Sequence, residues 1–153
     1  MIEFKTISYE GVTVGEEFMS DDFLIKPEDV ETFAFAVDDH DPWYFADEPT
    51  PFGGNITHPV LLGNQALFMR HGKYIVPAGL HAKMQYEFVE PIRVGMRVRT
   101  CGKLIDKYEK RGRHYMVTEF ATRDEETGVV LVRGQFTQML FPKSGVHEDA
   151  RKR

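Results

Sequence analysis

Residues 56–74, ITHPVLLGNQALFMRHGKY, decide the fold. Pro59 suits the first position of a helix, where its missing N–H is no loss. Val60, Leu61, Leu67, Phe68 and Met69 make the following turns strongly apolar, and Gly72 marks the end. A helix this apolar has to be buried, and a sheet wrapped around it is the expected cover.

The residues that follow supply that sheet. From Gly79 onward four runs are rich in Val, Tyr, Phe and Thr: HAKMQYEFVEPI, MRVRTCGKLIDKYEK, GRHYMVTEFATRD and GVVLVRGQFTQML. Pro91 and Gly95, then Lys110-Arg111-Gly112, then Asp124 to Gly128 punctuate them. The last three runs read as an antiparallel meander. Upstream, residues 1–15 read as a lead-in with turns at Gly11 and Gly15, and Glu16–Ile25 as a first strand. Pro27, Glu28 and Asp29 open a helix, because proline and acids both suit its N-terminal end. Val30, Phe33, Ala34 and Val37 recur at helical spacing, so the helix runs from about Pro27 to Val37. One central helix against one antiparallel sheet is an α+β fold. A single sheet leaves the far side of that helix poorly covered, so dimerisation is expected. Residues 1–142 form one domain, and the charged tail 143–153 is expected to be disordered.

Composition bounds the function. The 153 residues are 42% hydrophobic and 28% charged, ordinary for one globular domain. The net charge of −5, from 24 acids and 19 bases, argues against nucleic acid as partner. Between Glu16 and Thr50 stand twelve acids and one base; between Arg70 and Arg113 stand eleven bases and four acids. The basic half reads as solvated strand faces, with coenzyme A phosphates as the competing use of Arg97 to Arg113. Cys101 is the single cysteine, which excludes an internal disulfide and gives no metal pattern. No apolar run reaches the roughly 18 residues of a membrane span, and MIEFKTISYE has no signal-peptide core. The expected compartment is the cytoplasm.

The chemistry-bearing residues concentrate between Val37 and Asn64, VDDHDPWYFADEPTPFGGNITHPVLLGN. Asp38, Asp39 and Asp41 follow the negative end of the first helix and repel one another, a setting that raises a carboxyl pKa. Pro42 should stop any continuing helix. Pro49, Pro51, Gly53 and Gly54 make Phe45–Asn55 a loop. His40, adjacent to Asp39, should point elsewhere. His58 can reach Asp39 if the loop folds back, although a histidine at a helix start is commonly a cap. Trp43 is a packing anchor or a lid over substrate.

Three segments, FAFAVDDHDPWYFAD, GGNITHPVLLGNQALF and the long run from His81 to Gly128, resemble the MaoC-like hydratases and dehydratases of the hot-dog fold. The resemblance covers about residues 8 to 142 and includes the step Phe-Val-Glu-Pro-Ile-Arg-Val-Gly. It implies an acyl thioester of coenzyme A or acyl carrier protein as substrate, and no other cofactor. Active members of that family read Asp-x-Asn-Pro-x-His, whose aspartate and histidine hold the water that adds to a 2-enoyl thioester. They also read Ile-x-His-Gly, whose glycine amide polarises the carbonyl. Here Asp39 falls on the aspartate, Asp41 on the asparagine, Pro42 on the proline and Tyr44 on the histidine. His58 falls on the second histidine and Pro59 on its glycine. Tyr44 is a poor base at neutral pH, and Pro59 has no N–H to offer an oxyanion. An amide of Val60 or of the Gly53-Gly54 turn would have to replace it. These departures resemble the acyl-binding halves of FAS1-like MaoC dehydratases, which read Pro-Pro where active halves read His-Gly.

Three readings follow from the resemblance. The first is a hydratase or dehydratase with Asp39, Tyr44 and His58 as catalytic residues. His40, Trp43, Gly54, Val60, Gly63 and Asn64 then contact the substrate. The alternative is a non-catalytic acyl-binding subunit paired with another MaoC-like chain. A hot-dog thioesterase ranks third, because Val60 to Gly72 carries no acid. A homodimer or a heterodimer is the expected assembly.

Overall fold

The computed structural model describes residues 4–45, 50–77 and 79–141. The expected tail lies outside the described residues. Strand β1 (Lys5–Thr6) is followed by β2 (Glu17–Met19) and β3 (Phe23–Leu24), both paired with a later strand. The expected strand at 16–25 is therefore two short pieces. Between them the Ser20 N–H bonds the Thr100 carbonyl, and the Ser20 hydroxyl bonds the Asp21 carbonyl.

Helix α1 spans Pro27–Val37, as its start signals and periodicity predict. The Asp29 carboxylate accepts the Lys26 N–H at 3.1 Å, and Val30 and Ala34 are its buried face. At its C-terminus Asp38 takes the left-handed conformation (φ 55°) and the Asp39 N–H closes onto the Ala34 carbonyl at 3.0 Å. That reversal separates the two aspartates. A one-turn helix, α2 (Pro42–Phe45), comes next. Pro42 starts this turn rather than merely ending the previous one. Asp41 caps it, accepting the Trp43 N–H at 2.9 Å.

The apolar segment is helical throughout but is not one regular helix. A 3₁₀ turn (Pro59–Leu62) leads into α3 (Gly63–Phe68), and a second 3₁₀ turn (Met69–Gly72) ends it. Leu62, Ala66 and Met69 are fully buried. After β4 (Tyr74–Ile75), which pairs with β1, come the four long strands. They are β5 (Gly79–Phe88), β6 (Arg97–Lys110), β7 (Arg113–Asp124) and β8 (Val130–Leu140).

The main sheet runs β2-β6-β7-β8-β5, with β3 also on β6, and every pairing in it is antiparallel. The meander β6-β7-β8 is the one expected. Alternate residues of these strands face the helix: Val98 and Leu104 from β6, Met116 and Phe120 from β7, Val132 and Phe136 from β8. Gly102 is where the helix comes closest. A Cβ there would lie 2.5 Å from both the Glu119 carbonyl oxygen and Met69 Cε, so a side chain would disturb the β6–β7 pairing and displace the Met69 side chain. Among the described residues the outer edge of β5 pairs with nothing. Phe68, Leu80 and Phe88 stand exposed.

The basic run largely pairs with neighbouring acids. Arg97 meets Asp22, Arg99 meets Glu125 at 2.8 Å, and Lys103 lies 3.9 Å from Glu119. Lys107 turns inward and donates to the Tyr9 and Val12 carbonyls at 2.8 Å each.

Candidate active site

Three elements meet at one corner: the C-terminus of α1, the turn α2, and the start of the apolar helical segment. The reversal at Asp38 turns Asp39 inward. Tyr44, one residue before the end of α2, donates its hydroxyl to Asp39 Oδ2 at 2.9 Å. His58 folds back so that Nε2 lies 3.6 Å from the same oxygen. Asp39, Tyr44 and His58, up to 19 positions apart in sequence, lie together at this corner. The Asp39 side chain is 39% exposed and the His58 side chain 24%, so the corner is open to a small molecule.

His58 has two roles at once. Its Nδ1 accepts the Val60 N–H at 3.1 Å, capping the 3₁₀ turn. A neutral imidazole that accepts at Nδ1 carries its proton on Nε2. The Nε2–H therefore points toward Asp39. At 3.6 Å this contact is longer than a hydrogen bond, a spacing at which a water can touch both groups. The Phe33 ring of α1 packs on the imidazole at 5.2 Å between centroids. Sequence periodicity read Phe33 only as core.

Tyr44 is held as a donor. Burial first, then its bond to Asp39 and the charges of Asp39 and Asp41, push its pKa up to about 12. It is protonated throughout the neutral range and cannot act as a base. The three aspartates do not form one cluster. Asp38 contacts His40 at 3.2 Å on the surface, Asp41 caps α2, and only Asp39 faces His58.

The helix start does not offer the expected amides. Pro59 has none, Val60 N–H goes to His58, and Leu61 N–H goes to the His58 carbonyl at 3.0 Å. The Gly53 N–H bonds the Thr50 carbonyl at 3.2 Å. Val60 as an oxyanion donor is thus corrected, because its N–H is already used as the cap. The Gly54 carbonyl accepts from Thr50, while its N–H has no bond among the described residues.

His40 contacts Asp38 and packs against Phe35 and Phe45 rather than facing Asp39, which corrects the expectation that it contacts the substrate. Trp43 is half-exposed and meets the Phe52 ring edge-on at 5.1 Å, an anchor for the loop. Gly63 is buried, and a Cβ there would lie 2.2 Å from the Tyr86 hydroxyl oxygen. Its place is under that phenol, a contact that sequence did not reveal. The Asn64 side chain lies outside the described residues. A cavity of about 1010 Å³ crosses the sheet between Phe18, Lys73 and Arg133. It has mixed charge and includes none of Asp39, Tyr44 or His58, so convergent chemistry rather than size locates the site.

The family model of the FAS1-like dehydratase domain region matches residues 12–133. The chain belongs to this family. It is a MaoC-like protein, and its sheet wrapped on a helix is the hot-dog fold. Similar solved structures cover it almost end to end. R-hydratase PhaJ1 from Pseudomonas aeruginosa aligns over 94% of this chain and 98% of its own, with a TM-score of 0.74 at 17% identity. The MaoC-like dehydratase from Rhodospirillum rubrum aligns over 88% and 96%, with a TM-score of 0.71 at 17% identity. A C-terminally truncated HadBC complex, a 3R-hydroxyacyl-ACP dehydratase from Mycobacterium tuberculosis, aligns over 83% and 96%, with a TM-score of 0.74 at 16% identity. At these identities the likeness establishes the fold. No curated protein matches in sequence. Among the described residues no helix of this FAS1-like dehydratase domain is long and apolar enough to cross a membrane.

Proposed function

We propose that this chain adds water reversibly to a 2-enoyl thioester, with Asp39 as the acid/base group. The observation that carries the reading is the pairing of the Asp39 carboxylate with the Nε2–H of His58 at 3.6 Å in a half-open corner. A water between them donates to Asp39 and accepts from His58. As its oxygen bonds C3, Asp39 takes its proton and the double-bond electrons move toward the thioester carbonyl. Return of that proton from Asp39 to C2 completes the 3-hydroxyacyl thioester. His58 orients the water, and Tyr44 fixes the carboxylate. The chemistry calls for no cofactor beyond the coenzyme A or carrier-protein arm of the substrate.

The names of the structural relatives support a hydro-lyase acting on acyl thioesters, since they include an R-hydratase and a hydroxyacyl-ACP dehydratase. The bare edge of β5 and the exposed Phe68, Leu80 and Phe88 support pairing with a second hot-dog chain, identical or not. A soluble, cytoplasmic setting suits such a substrate.

A second reading has its own observation. The occupied amides at the helix start favour an acyl-binding subunit whose partner carries the chemistry. Incubation of the purified chain with 2-enoyl-CoA and 2-enoyl-ACP, followed by mass spectrometry of the thioester, separates the two. The hydratase reading expects a product heavier by one water. Product formed only after a second MaoC-like chain is added favours the acyl-binding reading.

A further inference from the structure

We infer that the Tyr86 hydroxyl donates a hydrogen bond to the thioester carbonyl, in the place left without an amide at the helix start. The inference rests on the hydratase reading above and names the group that reading lacks.

Addition at C3 moves an electron pair through C2 to the carbonyl oxygen, and a fixed donor aimed at that oxygen lowers the barrier. At the first turns of the helical segment the candidates are spent. Residue 59 has no N–H, those of Val60 and Leu61 bond His58, and that of Gly63 bonds the Val60 carbonyl. Tyr86 reaches the same turns from the opposite wall, the inner face of β5. Its oxygen comes so near the Gly63 backbone that a Cβ there would stand 2.2 Å away. Glycine is therefore required at 63 for the phenol to stand where it does.

The ring is also held. It stacks on Phe88 at 5.6 Å and meets Phe120 edge-on at 6.0 Å. Its cross-strand partner is Gly134, where a Cβ would stand 1.9 Å from the Gln85 carbonyl oxygen and 3.2 Å from the Phe120 ring, so a side chain there would disturb the strand that carries Tyr86. The hydroxyl itself has no hydrogen-bond partner among the described residues, and it is not among the sealed, unsatisfied atoms of the interior. A half-buried phenol whose ring is packed on two sides, and whose O–H has no partner among the described residues, is a preorganised donor. Burial raises its pKa above the usual tyrosine value, so the proton stays on through the neutral range.

The test reads carbonyl polarisation directly. A conjugated 2-enoyl-CoA bound to the slow variant Asp39→Asn should absorb at longer wavelength than in water. In Asp39→Asn/Tyr86→Phe it should bind without that shift. Gly63→Ala, which drives the phenol away while leaving its O–H intact, should lose the shift as well. In the otherwise wild-type protein, Tyr86→Phe should lower kcat about 10²-fold with little change in KM. An equal red shift with and without the hydroxyl overturns the assignment. So does wild-type turnover that Tyr86→Phe matches, and that result leaves the hydratase reading standing. Failure of the wild type either to bind or to hydrate any 2-enoyl thioester overturns both.

Discussion

The corner at Asp39 and the start of the apolar helical segment lie side by side, yet their polar groups are disposed oppositely. At Asp39 two side chains converge on one carboxylate oxygen and the group is still open to solvent. At the helix start the amides are missing or turned back on His58. Under the proposed function the first region moves a proton, while at the second the amides that helix starts usually turn toward an anion are absent or occupied. His58 belongs to both, with one ring nitrogen for each. The same residue that faces Asp39 is what removes the Val60 amide from service.

The sharpest way to break this contrast is to remove the carboxylate alone. Asp39→Asn still accepts the Tyr44 hydrogen bond but cannot take a proton from water. Hydration should fall about 10³-fold in steady-state assays while the melting temperature holds. Dividing His58 comes next. Asparagine is a good helix cap, so His58→Asn should keep stability within about 0.5 kcal/mol by denaturant titration. It has no group that reaches Asp39, so turnover should still fall about 10²-fold. A matching loss of stability would mean that His58 acts through the cap.

A smaller effect tests the closed side. Pro59→Gly restores the missing N–H, at a cost of about 1 kcal/mol in chain entropy. In a Tyr86→Phe background it should recover turnover about tenfold, because an amide again faces the carbonyl. The smallest effect is on alkaline stability. Unfolded Tyr44 ionises near 10.0, and in the folded chain its pKa is pushed up to about 12. Between those values the unfolded chain binds fewer protons, so stability falls as pH rises. The melting-temperature gap between the wild type and Tyr44→Phe should shrink across that window and be constant below it.

Much of the fold was legible in sequence. Helix α1 begins and ends where Pro27, Glu28, Asp29 and the apolar spacing place it, because those signals are local. The four long strands follow their Val, Tyr, Phe and Thr content and their turn residues, to within a few positions at each end. What was not legible depended on contacts distant in sequence. The 3₁₀ turns flanking α3 leave no pattern distinct from an α-helix. Pro42 reads locally as a breaker, because nothing nearby in sequence shows that Asp41 caps a new turn. At the site, Asp39 and His58 were found through a motif, and their approach to 3.6 Å required the loop to fold back. The Val60 amide could not be known to be taken before the His58 ring was placed. Tyr86 gave no signal at all, since its meaning comes from Gly63, 23 positions earlier in the chain.

The central claim is that this chain by itself holds a working acid/base group at Asp39. The direct measurement is to follow the conjugated-thioester absorbance of a 2-enoyl-CoA series with the purified protein and no other chain. The account predicts loss of that absorbance with at least one chain length, and none above background for Asp39→Asn. Unchanged absorbance across the series, with loss restored only by a second MaoC-like chain, would contradict it.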